Sequence, residues 1–315
     1  MRRRDFLTMA AVGLAGCSRT VAPRPRSQVK ITRAPAYSQD LYATMRRVLA
    51  EHKLQVRGRR VVLKPNLVEF EPESTINTHP MMVHAALEAF REMGATVAIA
   101  EGPGHRPGTL DLADAAGYFR LIPDFENLFT DLNQDDVSRV ALRHPVSRLD
   151  SLYLPHTVLS SDLLVSMPKM KTHHWVGATL SMKNLFGIVP GGVYGFPKNV
   201  LHWAGISESI ADLHSLFPRH FAIVDGIVGM DGNGPIQGKP KPVGAIVSGH
   251  DAVAVDATCC RIMQIEPALI KYLNLAGGPE GISERNIQQI GEKIDSVETP
   301  FELIMELRDL RREKA

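Results

Sequence analysis

The sequence predicts an α/β fold: a mostly parallel sheet with helices on both faces, joined by crossover strand–helix–strand units. Three observations lead there. Arg60-Val-Val-Leu-Lys64, a helical pattern from Pro80 to about Met93, and Ala95-Thr-Val-Ala-Ile-Ala100 run strand, helix, strand, which is the crossover unit of a parallel sheet. Asp162-Leu-Leu-Val-Ser166 and Phe221-Ala-Ile-Val-Asp225 are short apolar runs of the buried-strand type. The chain is 44% hydrophobic and 22% charged over 315 residues, an ordinary globular composition with enough length for one large domain.

Taken in order, residues 1–16 carry an export address. Arg3-Arg4-Asp5-Phe6-Leu7 has the twin-arginine pattern, and the apolar run Met9–Gly16 is too short to span a bilayer. Leu14-Ala15-Gly16-Cys17 resembles the lipoprotein processing box, so Cys17 is the expected lipidation site. This predicts a protein delivered by the twin-arginine machinery to the periplasmic side and anchored to the membrane. Residues 17–28 lack an apolar period and read as a tether; a single α/β domain is expected over 29–315.

Within it, Val29–Ile31 reads as a strand and Ser38–Glu51 as a helix with Leu41, Met45, Val48 and Leu49 on one face. Thr78 is the expected N-cap of the helix that follows, with Pro80 in its first turn and Gly94 past its end. A glycine loop, Glu101 to Thr109, opens onto a helix at Leu110–Ala116. Val137–Leu142 reads as an extended segment. One helix is expected over Val200–Leu216, where His202 and His214 read as ordinary helix residues. The stretch Gly229–Pro235 reads as a loop, Pro242–Ser248 as a strand, and Asp251 as the cap of a helix bearing Cys259 and Cys260. Beyond residue 264 further helices are expected.

The chemistry concentrates in Ser166–Pro190, where Lys169, Lys171, His173, His174, Thr179, Ser181, Lys183 and Asn184 follow a buried strand. Lysine is seldom buried unpaired, and ligands of α/β sheets bind at the carboxyl ends of strands. The stretch therefore reads as the floor of a site for a small anion. His173, Lys183, His79 and Asp225 are the candidate catalytic residues. Lys64, Asn66, His105, Lys169, Lys171, His174, Thr179, Asn184, Asn233 and Asp256 are the candidate ligand-binding ones. His79, His105, His173 and Asp231 are the candidate ligands for a metal ion or metal-containing cofactor, although Asp231 and Asn233 suit Asx turns better. The three cysteines are too few for a four-cysteine iron–sulfur cluster. The formal charge of +2 comes entirely from Arg2, Arg3 and Arg4 against Asp5. The remainder is neutral and has no electrostatic footprint for nucleic acid.

Lys64-Pro65-Asn66, Thr78-His79-Pro80, Met167–His173, Met182-Lys-Asn-Leu-Phe-Gly187, Asp225-Gly226, Asn233-Gly-Pro235 and Asp251 with Ala254–Asp256 together resemble the domain-of-unknown-function 362 family over roughly residues 29–265. Some members of that family carry ferredoxin-type clusters, for which this chain lacks the cysteines. A shorter window, His173-x-x-x-Gly177, Ser181-x-Lys183 and Pro190-Gly191, is similar to a run in the nickel-pincer lactate racemase family. That likeness implies a metal- or cofactor-bearing site for a small hydroxy acid, with a racemase- or isomerase-like activity. Two classes of function stay open at this level: an enzyme acting on a small anionic substrate, and a non-catalytic lipoprotein that binds a small anion, metal or partner protein at the membrane surface.

Overall fold

The computed structural model describes residues 26–105 and 108–312. The export address, Cys17 and most of the expected tether lie outside them. The tether is shorter than expected, because Ser27 and Gln28 already belong to a strand.

The strands are β1 (Ser27–Arg33), β2 (Arg60–Pro65), β3 (Thr96–Glu101), β4 (Phe129–Asp131), β5 (Val137–Ala141), β6 (Ser151–Pro155), β7 (Leu163–Met167), β8 (Lys169–His173), β9 (Gly177–Thr179), β10 (Phe221–Asn233), β11 (Gln237–Gly249) and β12 (Ile287–Gly291). Among the described residues a ten-stranded sheet runs β12-β1-β11-β10-β7-β2-β3-β4, with β8 and β9 branching from β10, and β5 and β6 form a separate ribbon. Strands β10, β7, β2, β3 and β4 are mutually parallel, as the crossover reading requires, while β11 is antiparallel to both its neighbours.

Alternation along the strands divides the core. Val61, Leu63, Val165, Met167 and Ile223 point to one face, packed with helices α1 (Leu41–Glu51) and α2 (Pro80–Glu92). Val62, Leu164, Ala222 and Val224 point to the other, under α3 (Ile206–Leu216), α4 (Ala252–Ile262) and α5 (Lys271–Ile282). Because side chains alternate with period two, Lys64 and Ser166, opposite each other in the register, fall on the second face.

Several boundaries moved for physical reasons. His79, not Thr78, caps α2: its Nδ1 accepts the Met81 N–H at 3.2 Å. Thr78 instead clamps the loop after β2, accepting the Asn66 N–H and donating to the Met167 carbonyl. The helix expected over Val200–Leu216 is broken at Gly205, whose φ is 107°, leaving a short helix Asn199–Trp203. The expected Gly229–Pro235 loop is mostly strand, for β10 and β11 form one long hairpin paired from Ala222↔Gly249 to Asn233↔Gln237.

Candidate functional site

The parallel strands β2, β3 and β7 end at Pro65, Glu101 and Met167. The loops beyond these ends, with β8, β9 and the tip of the long hairpin, enclose a cavity of about 210 Å³. Its walls include Asn66, Glu101, His105, Lys171, His173, His174, Thr179, Lys183, Asn184, Lys198 and His202, with Trp175, Phe186, Pro197 and Ile236 supplying apolar surface. That volume is below the range for drug-sized ligands and suits a molecule of a few heavy atoms.

Four lysines in and beside the cavity are tied down. Lys64, fully buried, forms an ion pair with Glu101 and donates to the Pro65 carbonyl at 2.8 Å and Asn184 Oδ1 at 3.1 Å. Lys171 donates to the carbonyls of Ile76 and Pro235, at 2.8 and 3.2 Å. Lys198 donates to those of Gly102 and Phe186, at 2.6 and 2.9 Å. Lys169 faces elsewhere, onto Asp225 at 2.6 Å. Lys183 differs. It is half-buried, its Nζ sits 4.0 Å from the centroid of the Phe186 ring, and no hydrogen-bond partner meets it among the described residues.

Burial pushes these amines down. Lys183 falls to about 7, with the nearby Lys64 adding repulsion, and Lys198 also falls to about 7 through burial. Lys171 goes well below the ordinary lysine value, first by burial and then by repulsion from Lys183 and Lys169. Each remains a hydrogen-bond donor in either charge state. Two buried oxygens, Asn66 Oδ1 and Thr179 Oγ1, in residues 5% and 4% exposed, have no partner. Buried polar atoms are normally satisfied, so these two are placed for a ligand that brings its own hydrogen-bonding group.

The adjacent histidines both line the cavity, and they are held in opposite tautomers. His173 Nδ1 accepts the Trp175 N–H at 3.1 Å, so its proton sits on Nε2. His174 Nδ1 lies 2.8 Å from the Gly234 carbonyl; a carbonyl only accepts, so Nδ1 is protonated and Nε2 carries the lone pair. Burial, followed by the charge on Lys183, drives His173 well below the usual histidine range and keeps it neutral. One ring thus offers a donor and the other an acceptor.

Asp256 organises the floor from behind. Completely buried on α4, it accepts the backbone N–H groups of Ser181 and Met182, at 2.8 and 3.0 Å, and the Ser181 hydroxyl. This caps the single turn Ser181–Asn184 that presents Lys183. Burial raises the Asp256 carboxyl to about 7. Asn184 bonds Lys64 and Ser166 as well, fixing the turn to β2 and β7. Gly187, which ends the Asn-Leu-Phe-Gly run, is needed for space: a Cβ there would collide with the Glu101 carboxylate and the Lys64 ammonium.

The structure splits the sequence-derived candidates into two groups. Lys171, His173, His174, Thr179, Lys183, Asn184, Asn66 and His105 converge on the cavity, and Asn233 lies in an open groove that shares His105 and His174 with it. His79, Asp225 and Lys169 form a separate knot. Asp225 accepts from Lys169, from the Tyr37 hydroxyl at 2.9 Å and from the His79 N–H at 3.0 Å, and the His79 ring stacks on Tyr37 at 3.8 Å. Burial lowers His79 to about 4. Asp231, expected as a cation ligand, instead accepts the Glu302 N–H at 3.0 Å and pairs with Lys241 at 3.2 Å. Among the described residues no three histidine, cysteine or carboxylate side chains are gathered to hold a metal ion, so the candidates His79, His105, His173 and Asp231 do not form a metal site of their own. Glu101, Lys198 and His202 are cavity residues that sequence reasoning missed. Cys259 and Cys260 are free and buried.

A thylakoid-associated protein of Synechocystis is 29% identical over 227 residues, which cover 68% of this chain and 65% of that one, slightly under two thirds of the relative's length. The lactate racemase apoprotein of Thermoanaerobacterium thermosaccharolyticum aligns with a TM-score of 0.48 at 15% identity, over 76% of this chain and 58% of that one. No described helix is long and apolar enough to cross a membrane. Residues 61–261, from β2 to the end of α4, match the family described as a domain of unknown function, DUF362, and the chain belongs to that family.

Proposed function

We propose that the cavity is the active site of an enzyme acting on a small carboxylate that carries a neighbouring hydroxyl or carbonyl oxygen. The observation that carries the proposal is the mismatch between donors and acceptors. Lys171, Lys183 and Lys198 line the cavity, while its carboxylate, Glu101, is already paired with Lys64. A ligand carboxylate meets N–H donors from these lysines and from His173 Nε2. A ligand hydroxyl donates to Asn66 Oδ1, and a ligand hydroxyl or carbonyl oxygen accepts from the Thr179 hydroxyl. His174 Nε2 supplies a lone pair for proton transfer, with His173 as the opposing donor. The described residues do not gather a metal-ligand set, and no step here is routed through a metal.

Because Lys183 and Lys198 titrate near 7, an anion entering the cavity favours their charged forms and draws protons in with it. Affinity for glycolate or pyruvate, measured by titration calorimetry, is expected to be greatest below pH 7 and to fall as the pH rises through it. The slope should approach about tenfold per pH unit for each proton taken up, and buffers of different ionisation enthalpy should report the uptake. A pH-independent affinity between 6 and 9 overturns the assignment of these lysines. Tight binding with no turnover of any hydroxy or oxo acid favours a binding lipoprotein over an enzyme.

The motifs at Arg3-Arg4 and Cys17 support a second part of the proposal, that the protein is exported folded and acts while anchored on the periplasmic face. Fatty-acid labelling of cells expressing the full chain should mark the protein, and Cys17→Ser should abolish the label and release the protein to the soluble fraction. Equal labelling of both forms contradicts the anchor.

A further inference from the structure

Resting on the small-carboxylate reading above, we infer that Lys183 is a nucleophile that forms an imine with a 2-oxo acid held in the cavity. Lys64, Lys169, Lys171 and Lys198 each donate to a carbonyl or a carboxylate within 3.2 Å, and those bonds hold their amines to the protein. Lys183 has the Phe186 ring beside it and the open cavity ahead of it. Its position is nevertheless fixed, since Asp256 caps the turn it stands on and Asn184 ties that turn to the sheet. An amine that is held in place, without a polar partner and facing a small enclosed space is arranged for attack and is not spent on structure.

The neighbours suit each stage. In the ammonium forms, which a bound anion favours, Lys171 and Lys198 each have a third N–H beyond the two bonds they make, and these hold the carboxylate of the oxo acid. The neutral fraction of Lys183, substantial near pH 7 because burial and Lys64 depress it, directs its lone pair at the carbonyl carbon. The C–O π electrons move to oxygen, which takes a proton from the amine as the tetrahedral carbinolamine forms. A second proton, drawn from solvent water, lets that oxygen leave as water while the C=N bond forms, with the His173 Nε2–H as a hydrogen-bond donor to it. The sum is amine, carbonyl compound and one proton giving a protonated imine and water, with no oxidant or reductant. The protonated imine withdraws electrons from the adjacent C–H bonds, and a C3 proton of the bound acid then exchanges with solvent through the enamine.

The test uses the full chain with pyruvate as probe. Incubation with pyruvate and sodium cyanoborohydride, then peptide mass analysis, should place a single reductively trapped adduct on Lys183 and none on Lys171 or Lys198. With pyruvate kept saturating at each pH, the trapped fraction should rise as the pH is raised through about 7, and in deuterium oxide the pyruvate methyl signal should decay only with enzyme present. Lys183→Met, checked for folding by thermal melting, should lose both signals, and glycolate should protect the wild type from trapping. Pyruvate binding by calorimetry without an adduct on Lys183 overturns the imine and leaves the anion-binding cavity standing. No binding of pyruvate or glycolate overturns both. Adducts scattered over exposed lysines, unprotected by glycolate, also overturn the inference.

Discussion

Glu101→Gln is expected to destabilise the protein by about 3–5 kcal/mol, the cost of leaving a buried charge without its partner. Lys64 is 0% exposed and the Glu101 side chain 2%, so neither can turn to water when the other is lost. Burial alone pulls Lys64 down from the ordinary lysine range, and Glu101 is what holds it up. The neutral amide leaves Lys64 with the Pro65 carbonyl and Asn184, two dipoles in place of a full charge. For a domain of this size the melting temperature should fall on the order of 10 °C. The double variant Glu101→Gln with Lys64→Met removes the stranded ammonium and should be more stable than Glu101→Gln alone, with a clear coupling between the two sites. A melting temperature within a degree of wild type for Glu101→Gln would show that the pair is hydrated and would remove the reason for counting the Glu101 charge as already neutralised.

That pair also marks where the sequence stopped being readable. The Ser166–Pro190 stretch announced itself because three lysines and two histidines directly follow an apolar strand, which burial energetics makes unusual. Lys64 was visible through Lys64-Pro65-Asn66, one of the motifs that carry the family resemblance. Its partner Glu101 was not, since a single carboxylate at a strand end before a glycine loop looks like an exposed residue until β3 is known to lie beside β2. Lys198 and His202 were hidden by local context. Lys198 holds a left-handed backbone, φ 60°, just before a short helix, and His202 sits in a pattern that passes for an amphipathic helix crossing Gly205. His79 and Asp225 show the reverse difficulty. Capping a helix and neutralising a buried lysine call for the same residue types as acid–base catalysis, and only the stacking on Tyr37 and the bonds to Asp225 distinguish the two uses. The parallel sheet was legible from the crossover unit, whereas the long hairpin was not. Its arms carry Gly229, Gly232, Gly238, Pro240 and Pro242, residues depleted in strands. β12 escaped notice because Ile287–Gly291 is half-exposed with two glutamines and shows no alternation.

Lys183→Met is expected to weaken binding of a small carboxylate by about 10- to 100-fold, the loss of one charge-assisted hydrogen bond, while making the folded protein more stable at neutral pH. The two effects have one cause. In the unfolded chain Lys183 titrates at the ordinary value of 10.5, and in the folded chain at about 7. Between those values the unfolded state binds more protons than the native state, so the stability of the wild type rises with pH across this window. Below about pH 7 the penalty of holding a desolvated ammonium is at its full size, and above 10.5 it vanishes. Methionine has a similar length and no charge to desolvate. The gain in melting temperature should therefore be largest at pH 6–7 and shrink steadily toward pH 10. Melting curves of the two proteins from pH 6 to 10, with glycolate titrations at pH 6.5, measure both effects. If Lys183→Met melts lower than wild type at every pH, Lys183 is a structural member of the fold. If it melts higher and still binds glycolate as tightly, the anion is held by Lys171 and Lys198 alone. Higher stability joined to lost binding is the pattern of a residue kept for what it does to a ligand, at the expense of the fold that holds it.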